Sequence, residues 1–267
     1  MKKLLLILLC WPMIGFGQNV YIPDASFKAY LVWNSAINTN GDTEIQVSEA
    51  SVFNGAIECS FMNISDLTGI EDFTALTNLQ CEGNQLTSLD VSQNTALTYL
   101  NCSTNVLTSL DVNGATALWE VECGLNQLTS LDVSNNTALT DLYCGGNLLS
   151  NLDVSANTAL TWLDCYSNQL TSLDLRNGNN TNMWFNSTNN PNLSCINVDD
   201  FQFSLFNWTY IDPQHYFSNN CSATSIQEHT TNKKLLKVTD LLGRETKQTN
   251  QPLFYIYDDG TVEKRIV

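Results

Sequence analysis

Histidine is nearly missing from this 267-residue chain: only His215 and His229 occur, and no CxxC pair accompanies them. That leaves little basis for a zinc site or for histidine-centred acid–base chemistry. There is no G-x-S-x-G turn either. The many carboxylates recur periodically instead of converging, so no enzyme is expected. Basic residues are scarce: between Gln18 and Thr231 there are 22 acidic residues against only Lys28 and Arg176. Phosphate binding depends on Lys and Arg, so nucleic acid is not an expected partner. Beyond Thr231 the balance differs, with seven basic and five acidic side chains. Past the N-terminus no apolar run approaches the about 20 residues of a membrane span.

The N-terminus itself carries Lys2-Lys3, an apolar run from Leu4 to Leu9 continuing toward Phe16, and small Gly15 and Gly17. This is the layout of a secretory signal peptide with cleavage near Gln18. Cys10 lacks the small preceding residues of a lipidated cysteine, and cleavage removes it. Export makes the remaining cysteines a candidate disulfide framework. Their spacing argues otherwise. Cys81, Cys102, Cys123, Cys144 and Cys165 recur at one constant interval, each two positions after an apolar Leu or Val, with Cys59 one residue out of step. An inward strand position filled by a small hydrophobe accounts for that pattern. Cys195 and Cys221 fall outside the ladder and are the pair open to a disulfide.

After the signal, Pro23-Asp24 and the spacing of Phe27, Tyr30 and Leu31 predict a short amphipathic helix. A polar loop follows. Counted from Asn38, oxygen side chains fall at positions 1, 3 and 5 (Asn38, Asn40, Asp42), with Glu44 at 7 and Glu49 at 12. That spacing resembles one EF-hand calcium loop, in which Glu44 offers its carbonyl and Glu49 a bidentate carboxylate. Thr43 replaces the usual glycine and Asn38 the usual aspartate, so any calcium affinity belongs at the weak, extracellular end. A polar turn without metal is the other reading.

From Ile57 to about Val198 each unit divides into two similar halves. One reads Leu97-x-x-Leu100-x-Cys102-x-x-Asn105-x-Leu107 and the other Leu86-x-x-Leu89-x-Val91-x-x-Asn94-x-x-Leu97. Both carry the leucine-rich-repeat core, and a unit of about 21 residues leaves little room for a helix. The expected fold is a mainly β leucine-rich-repeat solenoid, flattened, with a short parallel sheet on each side. Two asparagine ladders cap its turns. The first is Asn84, Asn105, Asn126, Asn147 and Asn168; the second is Asn94, Asn136 and Asn157, with Ala115 and Gly178 in its gaps. An aromatic stretch from Asp199 to Cys221 suits a cap, and alternating apolar residues beyond Thr224, with an Asp259-Gly260 turn, suggest a small antiparallel sheet. The expected segments are 1–17 signal, 18–56 helical cap, 57–198 repeat array, 199–223 C-terminal cap and 224–267 tail.

The phrase Leu-Thr-Ser-Leu-Asp-Val-Ser-x-Asn-Thr-Ala-Leu-Thr, the opening Tyr21-Ile-Pro-Asp-Ala-Ser-Phe-Lys-Ala-Tyr30 and the Asp240-Leu-Leu-Gly-Arg tail resemble leucine-rich-repeat proteins of Flavobacteria and related Bacteroidetes. The tail is similar to a C-terminal sorting domain of the type IX secretion system, although it is short and lacks a Pro-Asn-Pro opening. The resemblance implies passage through both membranes to the medium or the outer cell surface, with the type IX machinery as partner of the tail. It implies no particular ligand.

Invariant positions build a repeat fold; variable outward positions are free for recognition. In the Val half the outward residues barely change and include Asp90, Asp111, Asp132, Asp153 and Asp174. Such a ladder needs turn hydroxyls, water or cations between its rungs. In the Cys half they vary: Tyr99 and Asn101; Glu120 and Glu122; Asp141 and Tyr143; Trp162, Asp164 and Tyr166; Trp184. Tyr and Trp dominate binding hot spots, so these ten are the candidate ligand-binding residues, for a surface protein or a glycan. The alternative is an ice- or mineral-binding solenoid that uses regular Thr or Asp ladders.

Overall fold

Each Leu-x-Cys step turns alternate side chains inward, and the asparagine turn that follows stops the strand early. The computed structural model describes residues 17–221, 235–239, 244–246, 252–257 and 262–266. The signal segment, Gly17 apart, and the Asp259-Gly260 turn lie outside the described residues. The chain is a mostly β leucine-rich-repeat solenoid. One side is a parallel sheet of seven strands: β1 (Ala56–Glu58), β2 (Asn78–Gln80), β4 (Tyr99–Asn101), β6 (Glu120–Glu122), β7 (Asp141–Tyr143), β9 (Trp162–Asp164) and β11 (Trp184–Asn186). Its register aligns Leu79, Leu100, Val121, Leu142, Leu163 and Phe185 across neighbouring strands.

The opposite side departs from expectation. β3 (Ser88–Asp90) pairs with β5 (Ser109–Asp111), while β8 (Asn151–Asp153), β10 (Ser172–Asp174), β12 (Cys195–Asn197) and β13 (Tyr216–Ser218) form a separate sheet. The intervening coil keeps Leu131 and Val133 in the core but forms no strand pair. The second sheet is thus two pieces joined by one continuous interior.

That interior runs from Val20 to Trp208 as a single cluster. The six ladder cysteines are buried and reduced, each filling the space of a small apolar side chain. Burial pushes the thiols of Cys59 and Cys123 up to about 12, so little nucleophilic thiolate is present near neutral pH. In the last coil Trp184 aligns with Trp162, which places Ser187 in the column that Cys165 occupies one coil before.

The first asparagine ladder joins consecutive coils. Asn126 donates to the carbonyls of Cys102 (3.1 Å), Cys123 (3.0 Å) and Gly124 (3.2 Å), and accepts from Leu107 N–H (3.0 Å). Asn190 adds a further rung, with the same pattern to Cys165 O, Ser187 O and Leu170 N. The second ladder is weaker: the side-chain oxygens of Asn94, Asn136 and Asn157 are buried with no protein donor. Its last rung corrects the assignment of Gly178, since the buried Asn177 amide donates to Asn157 O from that place.

Both ends are closed. At the N-terminus α1 (Ala25–Trp33) is capped by Asp24, whose Oδ2 also accepts from Ser65 N and Oγ. Phe27 and Leu31 reach the core, and α2 (Val47–Ala50) follows. At the other end α3 (Phe201–Asn207) and β13 pack over the last coil. Trp208 lies against Phe185 and Phe217 and donates its indole N–H to Met183 O. A disulfide joins Cys195 to Cys221. Beyond it, β14 (Leu235–Thr239), β15 (Pro252–Tyr257) and β16 (Val262–Ile266) form an antiparallel sheet. Among the described residues no helix is long and apolar enough to cross a membrane.

Candidate binding face

The parallel register sets the outward side chains of the seven-stranded sheet in two columns. One runs Asn78, Tyr99, Glu120, Asp141, Trp162, Trp184; the other runs Gln80, Asn101, Glu122, Tyr143, Asp164, Asn186. The ten ligand-binding candidates therefore share one face, with Tyr166 just past β9. Asn182 precedes β11 in a helical turn and is not on this face.

Aromatic rings make a ribbon along it. Tyr143 and Trp162 lie 6.0 Å apart, Trp162 and Trp184 stack at 4.0 Å and 16°, and Trp184 meets Tyr210 at 5.6 Å. Tyr99 pairs with Trp119 at 6.2 Å. Rings that stack on one another while staying half-exposed form a rigid platform of low entropy cost. One edge of the Tyr166 ring closes on Gly145, where a Cβ would fall 2.2 Å from Cδ1 and Cε1, so the ring can take this place only over a glycine.

Carboxylates fill the spaces. Glu120 stands abreast of Asp141, with Glu122 on the same face of β6. Burial, then repulsion from Glu122 and Asp141, raises the Glu120 carboxyl above its ordinary range, and burial raises Asp164. The Tyr99 hydroxyl donates to Glu122, and Asn101 Nδ2 lies 3.3 Å from its second oxygen. Burial and nearby carboxylates also push the Tyr99 and Tyr143 phenols up, so both remain neutral donors.

Two residues of this face escaped sequence reading. Trp119 is 44% exposed beside Tyr99. It replaces the threonine found at the same place as Thr98, Thr140 and Thr161, so column variation marked it. Tyr210 reaches the ribbon from the cap through a bridge to Asn186, and no period leads to it.

The Asp ladder of the opposite side is engaged locally. Asp90, Asp111, Asp132, Asp153 and Asp174 each accept from the backbone N–H two residues on, at 2.8 to 3.1 Å. The loop from Asn38 to Glu49 likewise closes on its own groups. Asn38 donates to Val32 O and Asp42 O; the Asp42 carboxylate accepts from Glu44 N, Asn40 Nδ2 and Gln46 Nε2. Glu44 is ion-paired with Lys28 at 2.7 Å. Glu49 accepts from Thr39, Asn40 and Gln46; although burial opposes its charge, these bonds hold its carboxyl below the usual range. Among the described residues no group of three His, Cys, Asp or Glu is placed to hold a metal.

The structure also brings together Ser187, His215 and Asp212. Ser187 Oγ is 3.2 Å from His215 Nδ1, and Asp212 Oδ2 is 3.5 Å from Nε2. Ser187 and His215 are 0% and 1% exposed, so no substrate reaches the hydroxyl. Asp212 N–H also donates to Nδ1, and Asp212 holds the N–H groups of Asn189 and Asn190. The trio pins the last coil to the cap.

No family profile matches the chain. Internalin J of Listeria monocytogenes serotype 4b (strain F2365) is 42% identical over 76 residues, 28% of this chain and 8% of that protein. Among solved structures, the functional domain of internalin J from L. monocytogenes, which includes a cysteine ladder, is 30% identical. That match covers 68% of this chain and 52% of the other, with a TM-score of 0.42. A leucine-rich-repeat protein of Leptospira interrogans is 19% identical over 57% of this chain and 40% of its own, at a TM-score of 0.44. The chain thus spans about half, or much less, of these three relatives.

Proposed function

We propose that this leucine-rich-repeat protein is a secreted or cell-surface recognition module that binds a surface protein or glycan through the outer face of its seven-stranded sheet. The signal peptide at 1–17 and the type IX tail at 224–267 would deliver it, and the array from 57 to 198, closed by its two caps, would carry the binding face. One observation supports the reading above others. Inward residues of that sheet repeat almost unchanged, while its outward residues form a half-exposed platform of stacked rings set among carboxylates.

The test is a surface-protein and glycan array probed with the full chain and with a Trp162→Ala, Tyr166→Ala double variant. Loss of two central aromatic anchors is expected to weaken binding by about a hundredfold, with the melting temperature little changed. Unchanged binding by a folded double variant would remove this face as the site. Running the array with calcium and with chelator tests the Asn38–Glu49 loop. Because its oxygens already have protein donors, chelation is expected to leave binding and melting unaltered. A chelator-dependent fall in melting temperature would restore the loop as a calcium site.

A further inference from the structure

The chemistry of the sheet face bears on its occupant, an inference that rests on the reading of that face as the binding surface. No lysine, arginine or histidine occurs between Ala29 and Leu175, and the one cation of the array, Arg176, is paired with Asp174 on the opposite side, so the strands of this sheet carry none. Glu120, Glu122, Asp141 and Asp164 nevertheless crowd three consecutive strands. Tyr99 and Trp119 stand on one side of Glu120 and Glu122, and Tyr143, Trp162 and Trp184 are interleaved with Asp141 and Asp164 on the other. Charges placed against one another between ring faces, with nothing to neutralise them, are complementary to a cation held over the rings.

We propose that this face receives arginine side chains presented by a segment of a partner protein. Guanidinium is planar, stacks on Trp and Tyr, and bridges carboxylates with paired N–H donors. An ammonium ion has no plane to stack. Burial raises the Glu120 carboxyl in the free protein, and the repulsion from Glu122 and Asp141 that raises it further is relieved when a cation arrives. The opposite side provides an internal contrast. Its five aspartates accept from their own turns, as Asp164 does from Tyr166 N–H, but they lie on the side of the coil away from the stacked rings.

The test uses the full chain and three soluble peptides of equal length, in which glycine and serine are interspersed with arginine, lysine or glutamate. Affinity is read by tryptophan fluorescence and calorimetry. The arginine peptide is expected to bind, the lysine peptide several-fold more weakly, and the glutamate peptide not at all. A Glu120→Gln, Asp141→Asn variant should lose about tenfold or more in arginine-peptide affinity. An Asp90→Asn, Asp111→Asn variant changes net charge equally on the other side, and asparagine can still cap those turns. It should lose less than about twofold at ordinary ionic strength. Equal losses in the two variants, equal affinity for lysine and arginine, or no binding of the arginine peptide would each overturn the proposal. If Trp162→Ala, Tyr166→Ala abolishes array binding while Glu120→Gln, Asp141→Asn leaves arginine-peptide affinity unchanged, the face stands and the arginine assignment falls.

Discussion

Replacing Asn126 with alanine is expected to destabilise the repeat array by about 3–4 kcal/mol, because it leaves several buried backbone groups unpaired at once. The lost bonds are those to Cys102 O, Cys123 O and Gly124 O and the one from Leu107 N–H. Alanine supplies no replacement, and the site is too enclosed for the backbone to turn to solvent. The second ladder is the control. Asn136 donates to Val112 O and Ala115 O, but its own oxygen is buried without a donor. Asn136→Ala therefore removes an unsatisfied acceptor together with two bonds, and about 1 kcal/mol is expected. The chain already carries this substitution one coil earlier, at Ala115. Urea denaturation followed by circular dichroism compares the two variants; equal losses would refute the distinction. Because each coil rests only on its neighbours, the Asn126 variant should also unfold less cooperatively.

Breaking the Cys195–Cys221 disulfide is expected to cost about 3–4 kcal/mol, the loop-closure entropy of a bond between cysteines 26 apart in sequence. For an array of this size that amounts to a fall of about 10 °C in melting temperature. The loss should begin in the cap. β13 is held to the array by its pairing with β12 and by Trp208 against Phe185 and Phe217, and the bond ties the chain just after β13. Limited proteolysis of a Cys195→Ser, Cys221→Ser variant should cut first between residues 199 and 221. Cleavage spread evenly through the array, or an unchanged melting temperature, would show that the cap holds without the bond. The ladder cysteines cannot substitute for it, since burial keeps them protonated.

Much of the architecture was legible because a solenoid is local. The alternation of leucine and cysteine and the asparagine turn recur from Leu79 to Asn168 with only Val121 replacing a leucine, and each coil packs only on its neighbours, so one phrase predicts those coils. Errors arose where the period slips. The step from Cys165 to Ser187 is one residue longer than each step between Cys81 and Cys165. That hid Asn190 as a rung, while a step one residue shorter, from Asn157 to Asn177, gave Gly178 the place that Asn177 holds.

The candidate face divides in the same way. Which side chains point outward is set by alternation along a strand, so the ten candidates could be named from sequence and do lie together. Trp119 was within reach of the same reading. What alternation does not set is how neighbouring outward side chains arrange themselves. The 4.0 Å stack of Trp162 on Trp184, the ring of Tyr166 lying over Gly145 and the Tyr99 bond to Glu122 depend on strand register and rotamer.

The sequence alone determined the repeat length, the buried seam of cysteines and leucines, the first asparagine ladder and the outward face, because periodic burial is written into the spacing of apolar residues. Tertiary structure decided how the carboxylates are grouped and what lies beside them. The Asp ladder and the Asn38–Glu49 oxygens are absorbed by backbone and side-chain donors that a residue count does not reveal. Glu120, Asp141 and Asp164 are drawn together among stacked rings by strand pairing, without a cation beside them. Hydrogen-bond satisfaction and charge proximity are properties of distance, and only the folded coil sets those distances.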